Sequence, residues 1–140
     1  MREEPTREDL LKKIASLESE AAEARSLIDE LSASRNYLSA ILDNTDLPIY
    51  LKTAEFKYIL VNREYERLAH TTRQDIVGLS DFDIFPEPVA SLFRQQDEEV
   101  IRDRQSKIFE ETIPLPDGVK TFLTSKFPVE DRQGENYAVG

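Results

Sequence analysis

The sequence predicts an α+β chain in which one long helix precedes a small domain of short strands and helices. Two observations carry that reading. A mostly apolar stripe, Leu10, Ile14, Leu17, Ala21, Ala24, Ile28, Leu31, Arg35, Leu38 and Leu42, alternates spacings of four and three and then stops. Composition also changes near residue 47. Residues 1–47 hold 6 basic and 11 acidic side chains, no Gly, Tyr37 as the one aromatic, and Pro only at position 5. Residues 48–140 hold every Gly, six of the seven Pro and all seven Phe.

The first element starts at Thr6, with Asp9 three residues on, a pairing whose side-chain oxygens satisfy free backbone N–H groups at a helix start. Its stripe has the period of about 3.5 that keeps one seam facing a partner helix and favours a left-handed coiled coil. Arg35 interrupts the stripe and the two Ala thin its middle. Unbroken from residue 6 to 43, the helix would reach about 57 Å, too long for a domain of this size to cover. The expected partner is therefore a second copy of the chain, joined along Leu10, Ile14, Leu17, Ile28, Leu31, Leu38 and Leu42. The other arrangement is a surface helix whose stripe packs on its own domain.

From Asp43 the pattern fails in a turn-rich run that ends at Pro48, which disfavours helix at the residue before it. Ile49-Tyr50-Leu51 and Tyr58 to Val61 read as two short strands around a polar turn, Thr53 to Lys57. Asn62 caps a helix through Tyr65 and Leu68 to about His70. Thr72 and Asp75 form a second start signal, and Gly78 ends that single turn in the left-handed conformation. Pro86-Glu87-Pro88 opens a longer helix, with Val89, Phe93, Gln96 and Val100 on one face and Arg94, Asp97, Glu98, Arg102 and Asp103 on the outer side. Ile108 to Leu115 and Val119 to Val129 flank Pro116-Asp117-Gly118, a hairpin turn. A turn at Asp131 to Gly134 leads into a last strand, residues 135–140.

The overall balance narrows the function classes. With 18 basic and 28 acidic residues the formal charge is −10, which argues against nucleic-acid binding through phosphate neutralisation. No apolar run is long enough to span a membrane, and the first residues do not resemble a secretory signal, so a cytoplasmic setting is expected. Zero Cys and one His rule out disulfides, thiolate metal sites and a cysteine nucleophile; no metal site is assigned, a carboxylate site for a hard cation being the one kind that residue types leave open. No catalytic cluster stands out. Asp81 and Asp83, beside Phe82 and directly before a proline-started helix, read as capping residues and not as paired acid–base groups. Glu110, Glu111 and Lys126 fall on paired strands. Register leaves open which Glu meets the lysine, and a surface ion pair of that kind is worth under ~1 kcal/mol.

Several phrases in fixed order point to a family: Leu60-Val61-Asn62 leading into a helix with Tyr65 and Leu68; Ile76-Val77-Gly78; Asp81 to Pro86; and Lys126-Phe127-Pro128-Val129 with Asp131, Gly134 and Val139-Gly140. Over about residues 38–140 the chain resembles a PAS domain of bacterial signalling proteins. Two departures stand out. Such domains usually carry an Asp after the first-strand Lys and a Gly in the following turn, and Lys52-Thr53-Ala54-Glu55-Phe56 has neither. The family's last strand also normally runs on into an output domain, so the last strand is expected to be truncated here.

The resemblance implies a PAS fold: a five-stranded antiparallel sheet with short flanking helices around a small pocket, preceded by the coiled-coil helix. It divides the chain into a signalling helix, 1–43, and a sensory domain, 44–140. The implied function is to sense a ligand or partner as a homodimer and to relay that signal through coiled-coil helices. The receiver would be a C-terminal effector of histidine kinase or diguanylate cyclase type, as in a two-component system, and the domain itself would not be an enzyme. Candidate pocket residues are Tyr50, Tyr65, Phe93, Gln96, Val100 and Phe109, with the Gln96 amide needing a partner if buried. No cofactor is expected. A flavin adduct needs a Cys, and haem-binding relatives place their His on the helix corresponding to residues 87–104, where this chain has none. His70 instead suits the C-terminal end of a helix. The alternatives are a ligand-free interaction and dimerisation module, or a cofactor-based redox or gas sensor.

Overall fold

The computed structural model describes residues 4–134 and 136–140, the final strand by its backbone alone. It divides into two units, Met1–Ala40 and Ile41–Gly140. Helix α1 (Arg7–Asp43) supplies nearly all of the first unit. Its start is the expected capping box, with Thr6 Oγ1 accepting from Asp9 N (3.2 Å) and Asp9 Oδ2 accepting from Thr6 N (3.0 Å). No residue of α1 is buried, and Leu10, Ile14, Leu17, Ile28, Leu31 and Leu38 are exposed in the single chain. Among the described residues, no helix is long and apolar enough to cross a membrane.

The second unit runs β1 (Tyr50–Lys52), β2 (Tyr58–Val61), α2 (Arg63–Ala69), α3 (Arg73–Ile76), α4 (Asp81–Ile84), α5 (Glu87–Asp103), β3 (Lys107–Leu115), β4 (Gly118–Glu130) and β5 (Asn136–Val139). The strands hydrogen-bond in the order β2-β1-β5-β4-β3, and each neighbouring pair is antiparallel. The β3–β4 hairpin closes where expected, at Gly118, whose φ of 118° is open only to a residue without a Cβ. Residue 135, included in the predicted last strand, lies outside the described residues.

Asn62 organises the entry to the domain. Its Oδ1 caps α2 by accepting from Tyr65 N (3.1 Å) and also accepts from Ile49 N (2.9 Å). Its Nδ2 donates to the carbonyls of Leu42 and Leu47, both at 2.8 Å. Asp43 adds a second tie, its Oδ1 accepting from Arg63 N (3.0 Å) and Arg73 Nη2 (2.9 Å). One buried amide and one carboxylate thus join the last turn of α1 and the 47–49 segment to α2 and α3.

Two local expectations need correction, α4 and Asp97, and the departure from the family pattern after β1 shows its consequence. A helix absent from the sequence reading, α4, occupies Asp81–Ile84, because Ser80 and Asp83 form a capping box over a run too short to show helical periodicity. The turn after β1, lacking the family's usual Gly, puts Phe56 itself at φ 62°, a left-handed conformation that is strained for an aromatic residue. The Arg94 guanidinium stacks 4.6 Å from the Phe56 ring and helps hold it there. Asp97, assigned to the outer side of α5, is fully buried on the inner side.

Candidate functional site

Strand alternation and one helical face build the interior. In β1, Tyr50 and Lys52 share a side. In β3, Phe109, Glu111 and Ile113 do so, and in β4 Phe122, Thr124 and Lys126. In α5 the buried residues Phe93, Gln96, Asp97 and Val100 fall on one stripe. Where these faces meet, Lys52, Asp81, Asp97, Glu111 and Lys126 are all buried.

They form one continuous network. Tyr65 donates its hydroxyl to that of Tyr58 (3.3 Å), and Tyr58 donates to Asp81 Oδ1 (2.7 Å). Lys52 Nζ donates to Asp81 Oδ2 (2.5 Å) and Asp97 Oδ2 (2.7 Å). Lys126 Nζ donates to the other Asp97 oxygen (3.1 Å) and to Gln96 Oε1 (3.0 Å), and lies 2.8 Å from Glu111 Oε1. Thr124 Oγ1 donates to Glu111 Oε2 (2.6 Å). Aromatic faces complete the lysine surroundings: Tyr50 and Tyr58 at 5.1 and 4.9 Å from Lys52, Phe93 and Phe109 at 5.1 and 5.7 Å from Lys126. Buried charges persist only when paired and hydrogen-bonded, and each ammonium here has at least two polar partners. Burial, more than any neighbour, pushes the Tyr50 and Tyr58 phenols well above their ordinary range and Tyr65 up to about 12. These hydroxyls therefore stay protonated, Tyr58 and Tyr65 as donors.

Beside the network lies a cavity of about 270 Å³. The entry segment Leu47, Pro48 and Ile49 forms one wall; Tyr65, Leu68 and Ala69 of α2 form another; the β3–β4 hairpin closes a third, with Ile113 and Phe122. Both ends of the network reach this space, since Tyr65 and the Glu111–Thr124 pair all line it. At the end of α2, His70 is left-handed and its Nε2 sits 2.9 Å from Asp117 Oδ2 of the hairpin turn.

The candidate pocket residues divide into two groups. Tyr50 and Tyr65 line the cavity, whereas Phe93, Gln96, Val100 and Phe109 are not among its lining residues. Phe93, Gln96 and Phe109 gather around the Lys126 ammonium, and the partner that the Gln96 amide needed is that lysine. The Glu110/Glu111 ambiguity resolves to Glu111, and its pair with Lys126 is buried, not at the surface. Asp83 does act as a capping residue, but of the unexpected α4 and not of the proline-started α5, and Asp81 does not act as a cap: it takes Lys52 and Tyr58. Lys52 and Asp97 went unrecognised. One signal for Asp97 was present, since it lies four residues after Phe93 and three before Val100, on the core stripe.

Comparison with known proteins agrees with this architecture. The model of the PAS fold family matches residues 42–140. An uncharacterized protein, y4lL, of Sinorhizobium fredii is 32% identical over 88 residues, 62% of this chain and 11% of that protein. The aerobic respiration control sensor protein ArcB of Escherichia coli is 26% identical over 105 residues, 74% of this chain and 14% of ArcB. The chain thus spans only a small part of these curated relatives. Among solved structures, VqmA bound to DPO superposes with a TM-score of 0.62 at 27% identity, over 72% of this chain and 53% of VqmA. The Vibrio cholerae VqmA dimer without target DNA gives 0.63 at 26%, over 71% and 48%. With the sheet order, the helices and the family match in agreement, residues 42–140 place this chain in the PAS fold family.

Proposed function

We propose that the chain is a ligand-responsive regulatory PAS module that works as a homodimer joined along α1. In this reading residues 1–43 are the signalling helix and 44–140 the sensory domain. A change at the cavity biases the paired helices between two states, as any ligand with differential affinity for the two does. The output belongs to an effector of histidine kinase or diguanylate cyclase type in a cytoplasmic protein, and the PAS module is not itself an enzyme. The likeness to ArcB, a sensor protein, supports a signalling role. VqmA, whose dimer was solved without its target DNA, widens the range of outputs to DNA binding. The acidic balance of this chain, −10, assigns any phosphate contact to another segment.

One observation carries the relay. Leu47, Pro48 and Ile49 wall the cavity, and the Asn62 side chain ties the same segment to the last turn of α1. A molecule that presses on this wall acts on the residues through which α1 enters the domain.

The absence of Cys makes the dimer seam testable by single-cysteine cross-linking. Leu31→Cys lies on the seam, and Ala33→Cys, two residues on, falls on the opposite side of the helix. Mild oxidation is expected to link copies through Leu31→Cys and to leave Ala33→Cys unlinked. Equal yields at the two positions, or a protein that sediments as a strict monomer at high concentration, would overturn the paired-helix reading.

A further inference from the structure

The β3–β4 hairpin is held to the domain firmly at its base and by one polar contact near its tip. Of the 13 residues of β4, only Phe127 to Glu130 pair with β5; Gly118 to Lys126 pair with β3 alone. That part of β4 and β3 form a two-stranded ribbon extending past the sheet, and such a ribbon is marginally stable unless something packs on it. Its base is anchored to α5, where Lys126 donates to Gln96 and Asp97 and Lys107 donates to Glu99. From Thr112 to Thr121, one polar tie to the rest of the domain is found among the described residues. It is His70 Nε2, 2.9 Å from Asp117 Oδ2.

That tie lies at the rim of the cavity. His70 directly follows Leu68 and Ala69 of one wall, and Asp117 comes two residues after Leu115 of the facing wall. The two side chains are 50% and 62% exposed, so the tie is made at the surface. Arg67, raised chiefly by its bond to Glu64, is raised further by Asp117; Glu64, lowered chiefly by Arg67, is lowered further by Lys120. Opposite charges thus face each other across the gap between α2 and the ribbon. Behind them the walls are mainly apolar, and the acidic side chain among them, Glu111, is engaged by Lys126 and Thr124. A charged molecule would lose its hydration there without gaining a counter-charge.

Resting on the reading of this cavity as a ligand site, we infer that the β3–β4 ribbon is a flap over it, clasped to α2 by His70 and Asp117, which opens to admit uncharged, mainly apolar molecules. The hinge is the base of the ribbon, where the α5 anchors lie and the pairing with β5 begins. An exposed ion pair is weak, which suits a latch that must release. Segments that gate a site are drawn from the least stable part of a fold.

Hydrogen exchange of the 140-residue chain, corrected for intrinsic rates, tests the flap. His70→Asn keeps a residue that tolerates the left-handed conformation and shortens the side chain. Asp117→Asn keeps the turn preference and removes the charge. Each is expected to quicken exchange at residues 112–122 about two- to fivefold, the range for an exposed pair, and to leave 127–130 unchanged. Unaltered exchange at 112–122, or equal quickening at 127–130, overturns the flap. Entry is read with xenon, which occupies apolar cavities. The chain has no Cys, so His70→Cys/Asp117→Cys can be bridged with dibromobimane and compared with its unbridged form by xenon NMR. Bridging should slow xenon exchange about tenfold or more. Equal rates overturn the flap and leave the ligand-site reading intact. If xenon enters neither form nor the wild type, the ligand-site reading falls and the flap's role with it. The hydrogen-exchange comparison decides the matter even if the double variant fails to fold.

Discussion

Lys126→Met puts the buried network to its most direct test. The substitution retains most of the aliphatic length and removes the ammonium that serves Asp97, Gln96 and Glu111 together. Glu111 then has Thr124 alone, and Asp97 depends on Lys52. Three carboxylates would share one buried cation. Removing one partner of a buried pair leaves an uncompensated charge and costs about 3–5 kcal/mol. For a domain of about 100 residues that lowers Tm by at least about 12 °C. Urea unfolding followed by circular dichroism, at fixed protein concentration, measures the loss. The double variant Lys126→Met/Glu111→Leu removes the stranded carboxylate as well, and should be more stable than Lys126→Met alone despite carrying one more substitution. If Lys126→Met loses less than about 1 kcal/mol, or the two changes simply add, the pair is not energetically coupled in the folded protein and the reasoning fails.

Two further outcomes follow from local geometry. Tyr65 is raised to about 12 in the fold, chiefly by burial, against about 10 in the unfolded chain. The folded state therefore holds this proton more tightly: its contribution is fully present below pH 10 and is lost as pH rises towards 12. Unfolding free energies at pH 9 and 11.5 should show a steeper alkaline loss for the wild type than for Tyr65→Phe, by up to about 2 kcal/mol; parallel slopes would contradict it. Asn62→Ala removes a helix cap and the ties to Leu42, Leu47 and Ile49. The cap alone is worth about 1 kcal/mol, and hydrogen exchange should quicken first at residues 42–49 and 63–65. Uniform acceleration across the domain would show that Asn62 does not act as a local clamp.

Much of the framework was legible because its causes are local. The unbroken helix α1, the Thr6–Asp9 start, the Asn62 cap and the turn at Gly118 each depend on residues within a few positions of one another, so spacing and residue type suffice. Helix α4 escaped notice because four residues cannot display a period. The functional interior was harder to see for a different reason. Lys, Asp and Glu are ordinarily solvated, and nothing adjacent to Lys52 or Asp81 marks them as buried; Asp97 alone is signalled, by its place on the core stripe of α5. Their partners lie 23 to 45 positions away.

By itself, then, the sequence determined the chain's division into a long helix and a small α+β domain, along with most element boundaries, since those follow from short-range sterics and hydrophobic periodicity. Only the tertiary structure decided that β5 runs between β1 and β4 and that two lysines and three carboxylates are drawn inside. Only the tertiary structure, too, set Glu111 Oε1 2.8 Å from the Lys126 ammonium. Burying a charge is favourable only once its distant partners have arrived, and that condition is met nowhere along the extended chain.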